Sequence, residues 1–199
     1  MIEELKFKKT ALQKIKDFIF FPLRIFFEHE TVRKLGLTSL QDERFNACLP
    51  FLKGDVLDIG CGVGNKFIKR IGRGVGLDSY PWAGVDIVAS AEQTPFEDKK
   101  FDIVTIIGTL SYIKNRDLAL REIKRVLKDD GLLLILENHP IMNRIRFPLI
   151  WWWYPYKEIP DVKNLTKSNM EALLKKNSLK LKKIVKYVYG LSRMYVVSK

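Results

Sequence analysis

The sequence predicts a doubly wound α/β domain, and three observations carry that prediction. The apolar run Val56-Leu57-Asp58-Ile59 leads directly into Gly60-Cys61-Gly62-Val63-Gly64 and then into a helical pattern over 65–71, as a buried parallel strand turning into a helix through glycines does. A second short strand, 74–78, ends in Asp78, 18 residues after Gly60, where such a fold places the acid that meets ribose hydroxyls. Two more apolar runs, 101–107 and 132–136, flank an amphipathic helix over 117–128 with Leu120, Ile123, Val126 and Leu127 on one face. Strands alternating with helices at this spacing build a parallel sheet.

The length of 199 residues suits one domain: a helical cap over 1–50, a nucleotide-binding core over 51–139, and a substrate-side insertion with a C-terminal hairpin over 140–199. Cys48 and Cys61 are the only cysteines, which excludes a disulfide framework or a paired-cysteine metal site and suits a reducing cytoplasm; no metal set is visible. The apolar run 18–27 contains Pro22 and Arg24 and is too short to span a bilayer, and no small-residue cleavage site follows it. Net charge is +12, and it is uneven: residues 55–156 carry 14 basic against 13 acidic side chains, whereas 157–199 carry 11 against 3. Such a basic segment serves RNA, an anionic membrane surface, an acidic substrate or simply a solvated face.

In the cap, Leu12, Ile15, Phe18 and Ile19 recur at helical spacing with lysines opposite, and an aromatic stretch continues to Phe27. This segment either folds over the ligand cleft or lies in the plane of a membrane surface with its lysines near anionic headgroups. Residues 31–49 read as helix interrupted at Gly36. In the glycine loop, free N–H groups and a helix dipole favour an anionic group. The spacing is GxGxG rather than GxGxxG, since Asn65 stands where a dinucleotide fingerprint has its third glycine. After Asp78, six residues containing Pro81 and Gly84 replace a crossover helix, and 85–89 is the third strand. Trp82 either stacks on a base or covers the sheet edge.

These residues resemble the class I S-adenosylmethionine-dependent methyltransferases, of the methyltransferase type 11 kind. The GxGxG loop with Asp58 two residues ahead of it is similar to that family's motif I. Ser90-Ala91-Glu92-Gln93-Thr94-Pro95-Phe96 is similar to its D-A-E-x-L-P-F stretch, with Ser90 in place of the acid that meets the adenine amino group. Phe101-Asp102-Ile103-Val104 matches F-D-x-V, and Arg125-Val126-Leu127-Lys128-Asp129-Asp130-Gly131 matches R-V-L-K-P-G-G at five of seven positions. The resemblance covers about residues 53–139. It implies a seven-stranded, mostly parallel, Rossmann-like sheet and S-adenosyl-L-methionine as cofactor. The methionine end would lie along Asp58, Gly60, Cys61, Gly62 and Gly64, and the ribose at Asp78 and Ser79. The adenine would meet Ser90, Ala91 and Glu92, with Gly108 at the cleft mouth.

The acceptor region is the least legible part of the chain. His139, at the exit of the fifth strand, and Tyr112, in the loop after the fourth, are the candidate catalytic residues if the acceptor must lose a proton; a structural histidine is the other reading of His139. Trp151-Trp152-Trp153-Tyr154-Pro155-Tyr156 suggests a hydrophobic lid, flanked by Arg144, Arg146 and Lys157. Thr166 or Ser168 caps a last helix, faintly similar to relatives acting on glycan or lipid-linked substrates, and two strands around Gly190 close the chain. The expected activity is methyl transfer to a small-molecule, lipid or glycan-linked acceptor, with peripheral membrane contact through the two aromatic clusters. An RNA methyltransferase using the basic tail and a non-catalytic cofactor-binding relative are the alternatives.

Overall fold

The computed structural model describes residues 9–138 and 165–199. A seven-stranded sheet has the order β3-β2-β1-β4-β5-β7-β6, formed by β1 (Val56–Ile59), β2 (Val75–Asp78), β3 (Ile87–Val88), β4 (Phe101–Ile107), β5 (Leu127–Asn138), β6 (Lys180–Tyr187) and β7 (Ser192–Ser198). The first five strands are parallel, β1 pairing with β2 on one side and β4 on the other. The last two run antiparallel, as expected of the terminal hairpin. The strand order reverses between β1 and β4, and at such a switch point an open sheet leaves a crevice beyond its strand ends.

Period-two alternation sends β1 residues to both faces. Leu57 and Ile59 join Leu120 and Ile123 of α6 (Arg116–Val126) and Met170 and Leu174 of α7 (Lys167–Lys176) on one face. Val56 packs on the other face, with Phe45 and Cys48 of α4 (Leu40–Cys48) and Phe67 and Ile68 of α5 (Lys66–Ile71). Asp58 shares that second face, which directs a carboxylate towards the cap. Thr166, and not Ser168, caps α7, its hydroxyl accepting the Asn169 N–H at 3.2 Å.

Two boundaries differ from the sequence reading. Helix α6 stops at Val126, and β5 begins at Leu127 rather than at Leu132, because Leu127 already pairs with Phe101 before an irregularity in register. The third strand shrinks to Ile87–Val88.

The cap comprises α1 (Ala11–Ile19), α2 (Phe21–Phe26), α3 (His29–Lys34) and α4, with the break between α3 and α4 around Gly36 at φ +70°. Its helices are joined through buried polar groups. Asp17, fully buried, accepts from Lys9 Nζ at 2.7 Å, the Thr38 N–H at 2.8 Å and Gln13 Nε2 at 2.9 Å. Arg24, 2% exposed, donates to Thr38 O at 2.7 Å and Asp17 O at 3.1 Å and pairs with Glu43. Because the polar side of α1 faces inward, its apolar side faces out: Leu12, Ile15, Phe18 and Ile19 are each more than half exposed. Among the described residues no helix is long and apolar enough to cross a membrane.

Candidate active site

Two cavities meet at Gly60. The smaller, about 270 Å³, is bounded by the ends of β1 and β2, the turn at Ser90, Ala91 and Glu92, and the loop from Thr109 to Lys114. The larger, about 740 Å³, lies between the glycine loop, α5 and the cap helices α3 and α4.

Gly60 has φ +75°, and a Cβ there would lie 2.3 Å from the Thr109 side chain, whose hydroxyl reaches Gly60 O at 3.3 Å. Gly62 has φ +63°, with nothing within 4 Å of where its Cβ would stand, so only its backbone conformation calls for glycine. The loop N–H groups are occupied, contrary to the sequence reading. Gly60 and Cys61 donate to Leu77 O at 2.7 and 3.1 Å, and Gly64 donates to Ala83 O at 2.8 Å. Gly62 donates to Asp78 Oδ2 at 3.0 Å. The loop folds back on the end of β2, so these donors hold the loop itself. Asn65 carries that folding: it is left-handed at φ 48° and buried, and its Nδ2 donates to Asp86 Oδ2 at 2.7 Å. A Cβ on Gly76 would collide with it at 2.3 Å.

In the smaller cavity Asp78 also accepts the Tyr80 N–H at 3.0 Å, so backbone donors orient both of its carboxylate oxygens, each keeping accepting capacity. Ser79 lines the same space. Ser90 accepts the Glu92 N–H at 3.1 Å, and Glu92 accepts the Asn115 N–H at 2.9 Å, which ties the turn to the start of α6. Glu122 reinforces this from α6, accepting from both the backbone and the hydroxyl of Thr94 at 2.8 and 2.6 Å. Tyr112 lines the same cavity. Trp82 lines neither cavity; its ring lies against Tyr80 at 4.3 Å. Gly62 and Gly108 also line neither, and the Gly108 N–H is held by Leu136 O at 2.8 Å. His139 and the tryptophan cluster lie outside the described residues.

The larger cavity takes Asp58, Cys61 and Gly64 from the core. Asp58 is 2% exposed, and burial pushes its pKa up to about 7, against the Thr105 hydroxyl that donates to Oδ1 at 2.6 Å and with a further rise from Asp78. Burial, Asp58 and Asp78 push the Cys61 thiol up to about 12, so it is no ready nucleophile. The cap wall was not legible in the sequence. Asp42, fully buried, accepts from Arg33 Nε at 3.0 Å and Arg70 Nη1 at 2.6 Å, and from the Ser39 hydroxyl at 2.8 Å. Although burial opposes ionisation, Arg33, Ser39 and Arg70 hold this carboxyl well below the usual range. The Arg70 guanidinium lies 3.8 Å from the Phe45 ring centroid, which fixes it on the wall.

Comparison with known proteins now decides what the core is. A family model described as a methyltransferase domain matches residues 57–135, the span from β1 through most of β5. This core is a class I methyltransferase domain. The methyltransferase core is 36% identical over 90 residues to a ubiquinone/menaquinone biosynthesis C-methyltransferase of a Shewanella species, covering 43% of this chain and 34% of that one. A protein of Methanocaldococcus jannaschii is 36% identical over 147 residues, 68% of this chain and 51% of its own. The chain thus spans about half the length of one of these relatives and a third of the other. The fold agrees with a SAM-dependent methyltransferase of Thermotoga maritima at a TM-score of 0.65 and 19% identity, over 79% of this chain and 87% of that one. A Pyrococcus horikoshii protein superposes over 96% of this chain and 92% of its own at a TM-score of 0.58 and 18% identity. The family's cofactor is S-adenosylmethionine.

Proposed function

We propose that the chain transfers the methyl group of S-adenosylmethionine to an acceptor held beside the glycine loop. The observation that carries this is the smaller cavity: within a methyltransferase core, Asp78, Ser79, Ser90 and Glu92 converge on one space at the ends of β1 and β2. Its acidic lining suits a cofactor with a cationic sulfonium, and the open side of Gly62 admits close approach to backbone. Asp78 would hold the ribose, while Ser90, Ala91 and Glu92 would meet the adenine. When bound, the cofactor supplies a methyl group already activated as an electrophile. The chain's task is then to orient the acceptor and keep water out. Isothermal calorimetry tests the assignment: wild type binds S-adenosylmethionine, and Gly62→Val, which forces a β-branched residue to φ +63° and so reshapes the loop, does not.

The Shewanella relatives are C-methyltransferases by name, and that likeness supports a small-molecule acceptor. The outward apolar side of α1, with Lys14 and Lys16 on the same helix, supports one that is hydrophobic or membrane-associated. The basic C-terminal quarter supports RNA less well. Lys180, Lys182, Lys183 and Lys186 are exposed on β6, the sheet edge farthest from β3, where lysines block edge-to-edge pairing. The departures at Asp129 and Asp130 do not argue for a non-catalytic relative: Asp129 pairs with Lys99 at 2.7 Å and Asp130 with Lys53 at 3.1 Å, outside both cavities.

A further inference from the structure

The larger cavity is out of proportion to a cofactor subsite, and its wall has its own chemistry. Arg33 and Arg70 share the single carboxylate of Asp42, which leaves an excess positive charge on the wall. Lys66 and Lys69 line the same space, and among the described residues neither is in an ion pair. Arg44 adds a further cation, and Glu30 and the buried Asp58 are the carboxylates among the lining residues. A cavity with this balance attracts an anion.

His29 stands in it, and its hydrogen bonds define its tautomer. The Ser39 hydroxyl has one proton, and Asp42 Oδ2 at 2.8 Å takes it. Ser39 Oγ also accepts the Asp42 N–H at 3.1 Å. His29 Nδ1, 2.5 Å from Ser39 Oγ, must therefore be the donor in that contact. The proton is on Nδ1, and Nε2 carries the lone pair. Burial holds the imidazole below its ordinary pKa; Asp42 raises it, while Arg33, Lys66 and Arg70 lower it further, which favours the neutral ring with its lone pair on Nε2.

We propose that the larger cavity is the methyl-acceptor site, that it takes an acceptor bearing a phosphate or carboxylate group, and that His29 Nε2 accepts the proton the acceptor loses. This rests on the methyl-transfer reading above. The acceptor's lone pair forms the bond to the methyl carbon. That carbon's bond to sulfur breaks, its electron pair stays on sulfur, and the sulfonium becomes a neutral thioether. The proton from the acceptor O–H or N–H passes to Nε2, and the imidazolium returns it to water.

The test needs no acceptor. Inorganic phosphate is titrated into the full chain, with binding followed by calorimetry and His29 by nitrogen-15 NMR; His29→Asn assigns the signal against His139, the only other histidine. The expected results are a ring protonated at Nδ1, a His29 pKa that rises when phosphate binds, and a tenfold or greater loss of phosphate affinity in a Lys66→Gln, Lys69→Gln double variant that keeps its affinity for S-adenosylmethionine. Displacement of phosphate by vesicles carrying phosphatidic acid identifies the anion's source as a lipid headgroup, and displacement only by soluble phosphate monoesters identifies a soluble acceptor. A proton on Nε2, a His29 pKa indifferent to phosphate, or competition between phosphate and S-adenosylmethionine overturns the inference, the last by assigning the cavity to the cofactor's carboxylate. Failure of S-adenosylmethionine to bind the wild-type chain overturns the proposed function and leaves the anion site standing.

Discussion

The two cavities that meet at Gly60 are built from opposite materials. The smaller one is made by strand ends and backbone turns, its carboxylates aligned by main-chain donors: Asp78 by the N–H groups of Gly62 and Tyr80, Glu92 by that of Asn115. The larger one is made by side chains from four separate segments, held by one buried carboxylate, Asp42. Main-chain placement follows from topology. Side-chain placement depends on the cap, and it is there that the proposed acceptor site lies.

The largest expected effect tests whether the cavities are independent. Asp42→Asn replaces a buried carboxylate by a neutral amide beside two partly exposed guanidinium groups, and stability measured by urea unfolding should fall by about 2 kcal/mol. S-adenosylmethionine affinity should change far less in the protein that remains folded; an equal loss of both would mean that the cavities are one site. The reverse experiment is Asp78→Ala. Loss of a charged acceptor should weaken S-adenosylmethionine binding by about tenfold to a hundredfold in calorimetry and leave phosphate binding unaltered.

Asp58 lines the larger cavity two residues before Gly60, where the two meet, and pH probes its burial. Its folded pKa is raised to about 7 from an ordinary 3.8, so its contribution is fully present below pH 3.8 and is lost as pH rises through 7. Relative to Asp58→Asn, the wild-type apo chain should therefore lose stability between about pH 4 and pH 7 and no more above, read from thermal unfolding in a pH series. A flat difference would mean that the carboxylate is solvated through the larger cavity. The smallest effect concerns the outer side of the cap. Ile15→Ser with Ile19→Ser should reduce co-sedimentation with anionic vesicles at low salt by a few fold, against a background attraction of roughly 1 kcal/mol per nearby lysine. Wild-type protein that ignores such vesicles would confine the acceptor to solution.

The sheet was legible because its signals are local. Val56–Ile59 followed by three alternate glycines, Asp78 at a strand end, and the apolar runs at 101–107 and 132–136 each announce an element without help from distant residues. The smaller cavity followed from them, since topology alone brings those strand ends together. The occupied loop donors were not legible, because they depend on Asn65 adopting a left-handed conformation and folding the turn onto β2. The cationic wall was hidden for a similar reason: Arg33, Asp42 and Arg70 are separated by up to 37 positions and meet only when α3, α4 and α5 pack. His29 offered no motif at all, and its tautomer depends on Ser39, ten residues away.

The polar interior of the cap has a consequence for how the molecule comes apart. The sheet is held by apolar contacts on both faces, whereas the cap is joined through Lys9, Asp17, Arg24 and Glu43. Urea acts on both kinds of contact, but guanidinium chloride also screens charge, so the salt form should detach the cap in an early transition that urea does not separate. Hydrogen exchange at low guanidinium concentration should then show α1 and α2 opening while β1, β4 and β5 stay protected, and a molecule in that state would keep its smaller cavity while losing the wall of the larger.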